Sequence, residues 1–114
     1  MQTNELLNTV LNDLSDLKAL NVNPLDVRHL TSITDYMVIA SGTSSRHVHS
    51  IADNLIHKMR ARAIIPNGIE NDSDDEWVLV DLGDVVVHIM QPRTRDFYNL
   101  EKLWSASHKM LALA

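Results

Sequence analysis

Gly42, Thr43, Ser44 and Ser45 stand between a strand-like run and a helix-like one. Free backbone amides at such a turn could hold a phosphate. Nucleotidyl transfer there would also need paired carboxylates, on an adjacent strand, to hold a metal. Asp81 and Asp84 have the right chemistry, but they straddle a turn and do not point together from one strand face. Asp72 and Asp74 lie in an acidic loop. Neither a Walker lysine nor a G-x-G-x-x-G pattern accompanies the turn. A capped helix start is what these residues favour.

His49, Asp53 and His57 recur at every fourth position, which can place metal ligands on one helix face. Opposite an apolar stripe, the plainer reading is a solvated polar one. Ser44 and Ser45 with the nearby histidines lack both a strained nucleophile elbow and an orienting acid. His88 alternates with valines and is expected to be half-buried and hydrogen-bonded. No catalytic residue, no metal ligand and no cofactor is therefore assigned, and a binding protein is expected rather than an enzyme.

The elements that must position these residues follow from pattern. The chain has 114 residues, which suits one domain with a core that needs no staples. It has no cysteine, so no disulfide framework is expected. The first residues, MQTNELLNTVLNDL, resemble neither a secretory signal nor a transit peptide. No apolar run reaches the roughly 20 residues of a membrane span, and a cytoplasmic location is expected. Acidic residues outnumber basic ones by 15 to 10, a formal charge of −5. The block Glu70–Glu76 (ENDSDDE) concentrates that charge, so a basic protein is a better partner than bare phosphate.

Thr3 is placed to cap a first helix, with Leu6, Leu7, Val10, Leu11, Leu14, Leu17 and Leu20 at helical spacing. Leu25–Leu30 reads as a short strand. Tyr36–Ala40, apolar on both faces, reads as a central one. Ser41–Ser44 supplies a cap, and Val48, Ile51, Ala52, Leu55, Ile56 and Met59 form the stripe of a second helix. Ile64–Ile69, interrupted by Pro66 and Gly68, is at best an edge strand. Trp77–Leu82 and Val85–Met90 form a hairpin around Gly83-Asp84. Pro92 should stop the second of these strands, and a third helix should run from about Arg95 to Met110. Phe97, Leu100, Trp104, Ser107 and Leu111 share its packing stripe, while Tyr98, Glu101, Lys102 and Ser105 turn away. The order implies an α/β sandwich with a mixed sheet of about five strands and flanking helices.

A two-residue loop would pair Leu82 with Val85, Val80 with Val87 and Val78 with Ile89, placing these six on one face. Trp77, Leu79, Asp81, Val86, His88 and Met90 then occupy the other. That face is too apolar to be left in water, so a helix, a second subunit or a partner should cover it.

The blocks DYMVIASGTSSRHVHSIAD, EWVLVDLGDVVVHIM and FYNLEKLW, in this order, resemble the ribosomal silencing factor (Iojap-like) family from about Leu6 to Trp104. One departure is Asn71 after Glu70, where the family usually has Glu-Gly. The resemblance implies a nucleotidyltransferase-like fold without the catalytic carboxylates. It implies one domain over residues 1–105 with a tail at 106–114. It also implies binding to the large ribosomal subunit through that subunit's ribosomal protein fourteen, a steric block to subunit joining, and repression of translation when nutrients are scarce. A homodimer is implied for the free protein, and large-subunit assembly is the alternative role. An enzyme or a stand-alone dimeric scaffold on this fold are the competing readings. By position, Trp77, Tyr98, Leu100, Glu101 and Trp104 match blocks expected to form or support the docking surface, with Trp77 and Tyr98 the direct anchors.

Overall fold

The computed structural model describes residues 1–74 and 76–104. The order is α1 (Thr3–Asp16), β1 (Leu20–Asp26), β2 (Tyr36–Ser41), α2 (Ser45–Ala61), β3 (Gly68–Asn71), β4 (Trp77–Asp81), β5 (Val85–Met90) and α3 (Pro92–Tyr98). Residues 100–104 are again helical. The five strands form one sheet in the order β1-β2-β5-β4-β3. Only β2 and β5 run parallel; the other neighbours are antiparallel. The expected mixed α/β architecture is what the chain adopts.

The hairpin register is the one read from the sequence. Val78 lies opposite Ile89 and Val80 opposite Val87. The Leu82 amide donates to the Val85 carbonyl at 2.9 Å, closing a tight loop. Gly83 takes φ +88°, a conformation that suits glycine. Val38, Ala40, Val78, Val80, Val87 and Ile89 then share one buried face with Val10 and Leu14 of α1 and Val48, Ile51, Leu55 and Met59 of α2. Each fully buried Val, Leu or Ile contributes about 1.5–3 kcal/mol, so this cluster dominates stability. Asp13 is buried between the two helices, where Arg62 grips it with two hydrogen bonds of 2.8 and 3.0 Å.

Between β2 and α2 the chain passes so close to the helix that a Cβ on Gly42 would lie 2.8 Å from the Val48 nitrogen. Ser44 is the N-cap, its side chain accepting from the His47 amide. The stripe on α2 is buried as expected at Val48, Ile51, Ala52, Leu55 and Met59.

Other expectations are corrected. Gln2, not Thr3, precedes α1, and no side chain caps it. The Thr3 hydroxyl instead donates to Asp84 Oδ2 at 3.0 Å, so the hairpin loop sets a carboxylate at the positive end of α1. The helix stops at Asp16, and Leu20 belongs to a strand. That strand starts earlier than expected and contains Pro24, which an edge strand tolerates. Val27–Leu30 lies in turns beyond it. The third strand is shifted to Gly68–Asn71. Pro92 does not merely end β5. It opens α3 as the first helical residue, where its missing N–H costs nothing. Residues 105–114, including Ser105, Ser107, Met110, Leu111 and the expected tail at 106–114, lie outside the described residues.

Candidate docking surface

The second face of the sheet is built by strand alternation. The register aligns Met37 with Val86 and Ile39 with His88. It aligns Leu79 with His88 and Trp77 with Met90. Val27, Met37, Ile39 and Met90 are buried here, and Leu25, Leu30, Trp77, Leu100 and Trp104 pack on them. Of the covers expected for this face (a helix, a second subunit or a partner), a helical one is present in part, as residues 100–104.

Its path is set by Asn99. This residue takes φ 50° and ψ 52°, ending α3 in a left-handed cap. Its own Oδ1 accepts from the Lys102 amide at 3.4 Å, capping the helical turn that follows. The break changes the phase of the side chains. Continuous helical spacing predicts Phe97 against the sheet with Leu100 and Trp104. Instead Phe97 is 80% exposed, while Leu100 and Trp104 keep their packing.

Arg95 locks this geometry. Its guanidinium donates to Glu101 Oε1 at 2.6 Å, Ser41 Oγ at 2.9 Å and the Asn21 carbonyl at 2.7 Å. Asn23 Nδ2 donates to the second Glu101 oxygen at 2.5 Å. The Arg95 guanidinium, then the Asn23 amide, hold the Glu101 carboxyl below its usual value against the opposing effect of burial. The segment after Asn99 is thus tied to both β1 and β2.

At the other end of the face, Trp77 and Tyr98 meet with ring centroids 4.9 Å apart. Phe97 stands edge-on to Tyr98 at 5.1 Å. The Trp77 indole N–H donates to His88 Nδ1 at 3.0 Å. Burial lowers the His88 pKa to about 4, so the ring is a neutral acceptor in ordinary buffers. Tyr98 is 54% exposed and Leu103 60%, so the aromatic corner opens to solvent. A depression of about 300 Å³ lined by Glu70, Asn71, Asp72, Trp77 and Leu79 lies on one side. A second, of about 230 Å³, is lined by Glu76, Arg93, Thr94, Phe97 and Tyr98.

Of the residues singled out in the sequence, Trp77 and Tyr98 are brought together. Leu100 and Trp104 lie beneath the surface as packing. Glu101 is half-buried in the Arg95 network, toward β1. Phe97 and Arg95 were not assigned to the surface from sequence. His88 was placed on the same sheet face as Trp77, and its diagonal position across the hairpin is the signal that could have found its contact with the indole.

The phosphate-loop candidates have other occupations. The Thr43 amide donates to His47 Nδ1 at 2.9 Å, and His47 Nε2 reaches the Leu17 carbonyl at 2.7 Å. Ser45 Oγ donates to the Asp74 carbonyl at 2.9 Å and accepts from Gln91. Asp81 Oδ1 accepts from the Gly83 amide at 2.8 Å, while Asp84 meets Thr3. His49 and Asp53 form a 3.1 Å pair on an exposed helix face. No helix among the described residues is long and apolar enough to cross a membrane.

A small α/β domain with two helices on one sheet face and an exposed aromatic corner on the other is the class this geometry defines. The family model described as ribosomal silencing factor during starvation matches residues 1–113, and the chain belongs to that family. It is 43% identical over 100 residues to a ribosomal silencing factor of Haemophilus influenzae, covering 88% of this chain and 98% of that one. It is 44% identical over 75 residues to the mitochondrial assembly of ribosomal large subunit protein 1 of Mus musculus, covering 63% of this chain and 33% of that one. The crystal structure of a Chromobacterium violaceum protein, 38% identical, superimposes with a TM-score of 0.89 over 92% of this chain and 88% of that one.

Proposed function

We propose that this protein docks on the large ribosomal subunit through that subunit's ribosomal protein fourteen, at the face that meets the small subunit. A rigid domain seated there makes docking and subunit joining mutually exclusive, and translation falls, under nutrient limitation, without any chemistry. The observation that carries the reading is the aromatic corner of Trp77, Tyr98 and Phe97, half-open to water on a rigid sheet. Aromatic side chains of this kind are favoured anchors at protein interfaces. Glu70, Asp72 and Glu76 line the adjoining depressions and suit a basic protein partner. Trp77 and Tyr98 serve as contacts, and Leu100, Glu101 and Trp104 support them. The same reading takes residues 1–105 as the functional domain, places the protein in the cytoplasm, and has it form a homodimer when free of the ribosome.

Sedimentation with purified subunits tests the reading. The protein should migrate with large subunits and not with small ones. Migration with neither, at concentrations well above a micromolar Kd, would overturn it. A role in large-subunit assembly is the second reading, favoured by the name of the mouse relative. Depletion that lowers the amount of large subunit, rather than raising the joined fraction, would select it.

A further inference from the structure

Among the described residues, the indole of Trp77 in the aromatic corner is held by a hydrogen bond to a residue that is itself nearly buried. His88 sits on β5 with 6% of its surface exposed. It lies across the hairpin from Leu79, one diagonal step from Trp77. The indole N–H is a donor only, so it must find an acceptor when its ring is packed. His88 Nδ1 receives it at 3.0 Å, with the two rings 5.7 Å apart and tilted by 49°. That bond fixes the side-chain rotation of Trp77. The same indole also meets Tyr98, with centroids 4.9 Å apart and planes tilted by 52°. Tyr98 is the last residue of α3, just before the Asn99 break, and is 54% exposed.

We propose that His88 is a positioning residue for docking: its Nδ1 holds the indole of Trp77 in the one orientation that supports Tyr98 at the surface. The proposal deepens the docking function above and rests on it. An apolar residue at position 88 would fill the same strand site and preserve the sheet, but would leave the indole N–H without its acceptor. Trp77 would then rotate toward water, and Tyr98 would lose the ring beneath it. The partner would have to order both side chains on binding, which costs affinity.

The test uses the full chain in five forms: wild type, His88→Leu, His88→Asn, Trp77→Phe, and Trp77→Phe combined with His88→Leu. Asparagine keeps an acceptor near Nδ1. The Trp77 indole resonance is followed by 15N NMR, and binding to isolated large subunits by titration. His88→Leu should shift that resonance and weaken binding about tenfold, while His88→Asn should recover most of the loss. In the Trp77→Phe background, His88→Leu should cost less than twofold, because the donor is already gone. Binding unchanged by His88→Leu despite a shifted resonance would overturn the proposal. So would an equal loss in both backgrounds. If His88→Leu fails to fold, unequal binding between His88→Asn and a folded His88→Gln control should still track the indole resonance; affinity that varies with the resonance unchanged would overturn the proposal. Wild type that ignores large subunits would refute the docking function itself, whereas an indole resonance indifferent to position 88 would refute only the positioning.

Discussion

Arg95 Nε and Glu101 Oε1 lie 2.6 Å apart across the break at Asn99, joining α3 to the helical turn that follows it. The pair is not a surface ornament. The Arg95 side chain is only 12% exposed and reaches Ser41 and Asn21 as well. Lysine has no planar fork with which to make all three contacts.

Arg95→Lys and Glu101→Gln should therefore each lower stability by about 1.5–3 kcal/mol, the range for hydrogen bonds to charged groups. Chemical denaturation checks this. Glu101→Gln that instead weakens ribosome binding with an unchanged midpoint would make Glu101 a direct contact.

Asn99 holds a left-handed conformation and caps the next turn at once. Alanine loses both advantages, so Asn99→Ala should cost about 1–2 kcal/mol. Asn99→Gly keeps the conformation and loses only the cap, and should cost a few tenths. Equal melting temperatures for the two variants would contradict this assignment.

Burial lowers the His88 pKa from 6.5 to about 4. Between those values the unfolded chain binds a proton that the folded chain refuses. Stability is then complete above pH 6.5 and declines as pH falls toward 4. From pH 7 to 4.5 the wild type should lose roughly 2–3 kcal/mol more than His88→Asn. Parallel stability profiles for the two proteins would show that His88 is not kept neutral by the fold. The Glu101 contribution is distinct, being present above the unfolded carboxyl range and lost as pH falls below it.

Much of the fold was legible for identifiable reasons. Tyr36–Ala40 is apolar on both faces because α1 and α2 pack on one and Trp77, Leu100 and Trp104 on the other. Gly83 pinned the hairpin register through its positive φ. The failures cluster where the backbone leaves the regular regions. Lys18 and Asn21 both take positive φ, and the β1 register shifts between Leu20 and Asn23. Leucines at helical spacing therefore continued on paper into what is a strand. Asn99 does the same to α3, which is why Phe97 was expected inward. The pairing of Trp77 with Tyr98 joins the start of β4 to the last residue of α3, a contact between distant segments, so the two residues could be named from sequence but not their contact.

The acidic loop is partly structural. Asp72 Oδ1 accepts from the amides of Glu76 and Trp77, at 2.8 and 3.3 Å, so neutralising it would disturb the start of β4. Glu70 and Asp74 are exposed and make a cleaner pair. Glu70→Gln with Asp74→Asn should slow association with large subunits severalfold at low salt, with dissociation nearly unchanged. The difference should vanish near 1 M salt, where the screening length is about 3 Å. A salt-independent association rate would leave the loop a plain connector.

Tyr98 offers the most direct test of the central claim, because it is exposed and its loss should leave the cores intact. Trp77→Ala is less discriminating: Trp77 also packs on Met90 and its neighbours, so stability and binding should fall together. Trp104→Ala should mainly destabilise. The decisive measurement is the yield of joined ribosomes when purified large subunits are preincubated with protein and then mixed with small subunits. Wild type should suppress joining. Tyr98→Ala, with its melting temperature preserved, should need at least about thirtyfold more protein for the same effect, the loss of an anchor worth about 2 kcal/mol. Joining unaffected by saturating wild-type protein, or suppressed equally well by Tyr98→Ala, would contradict a steric block through this surface.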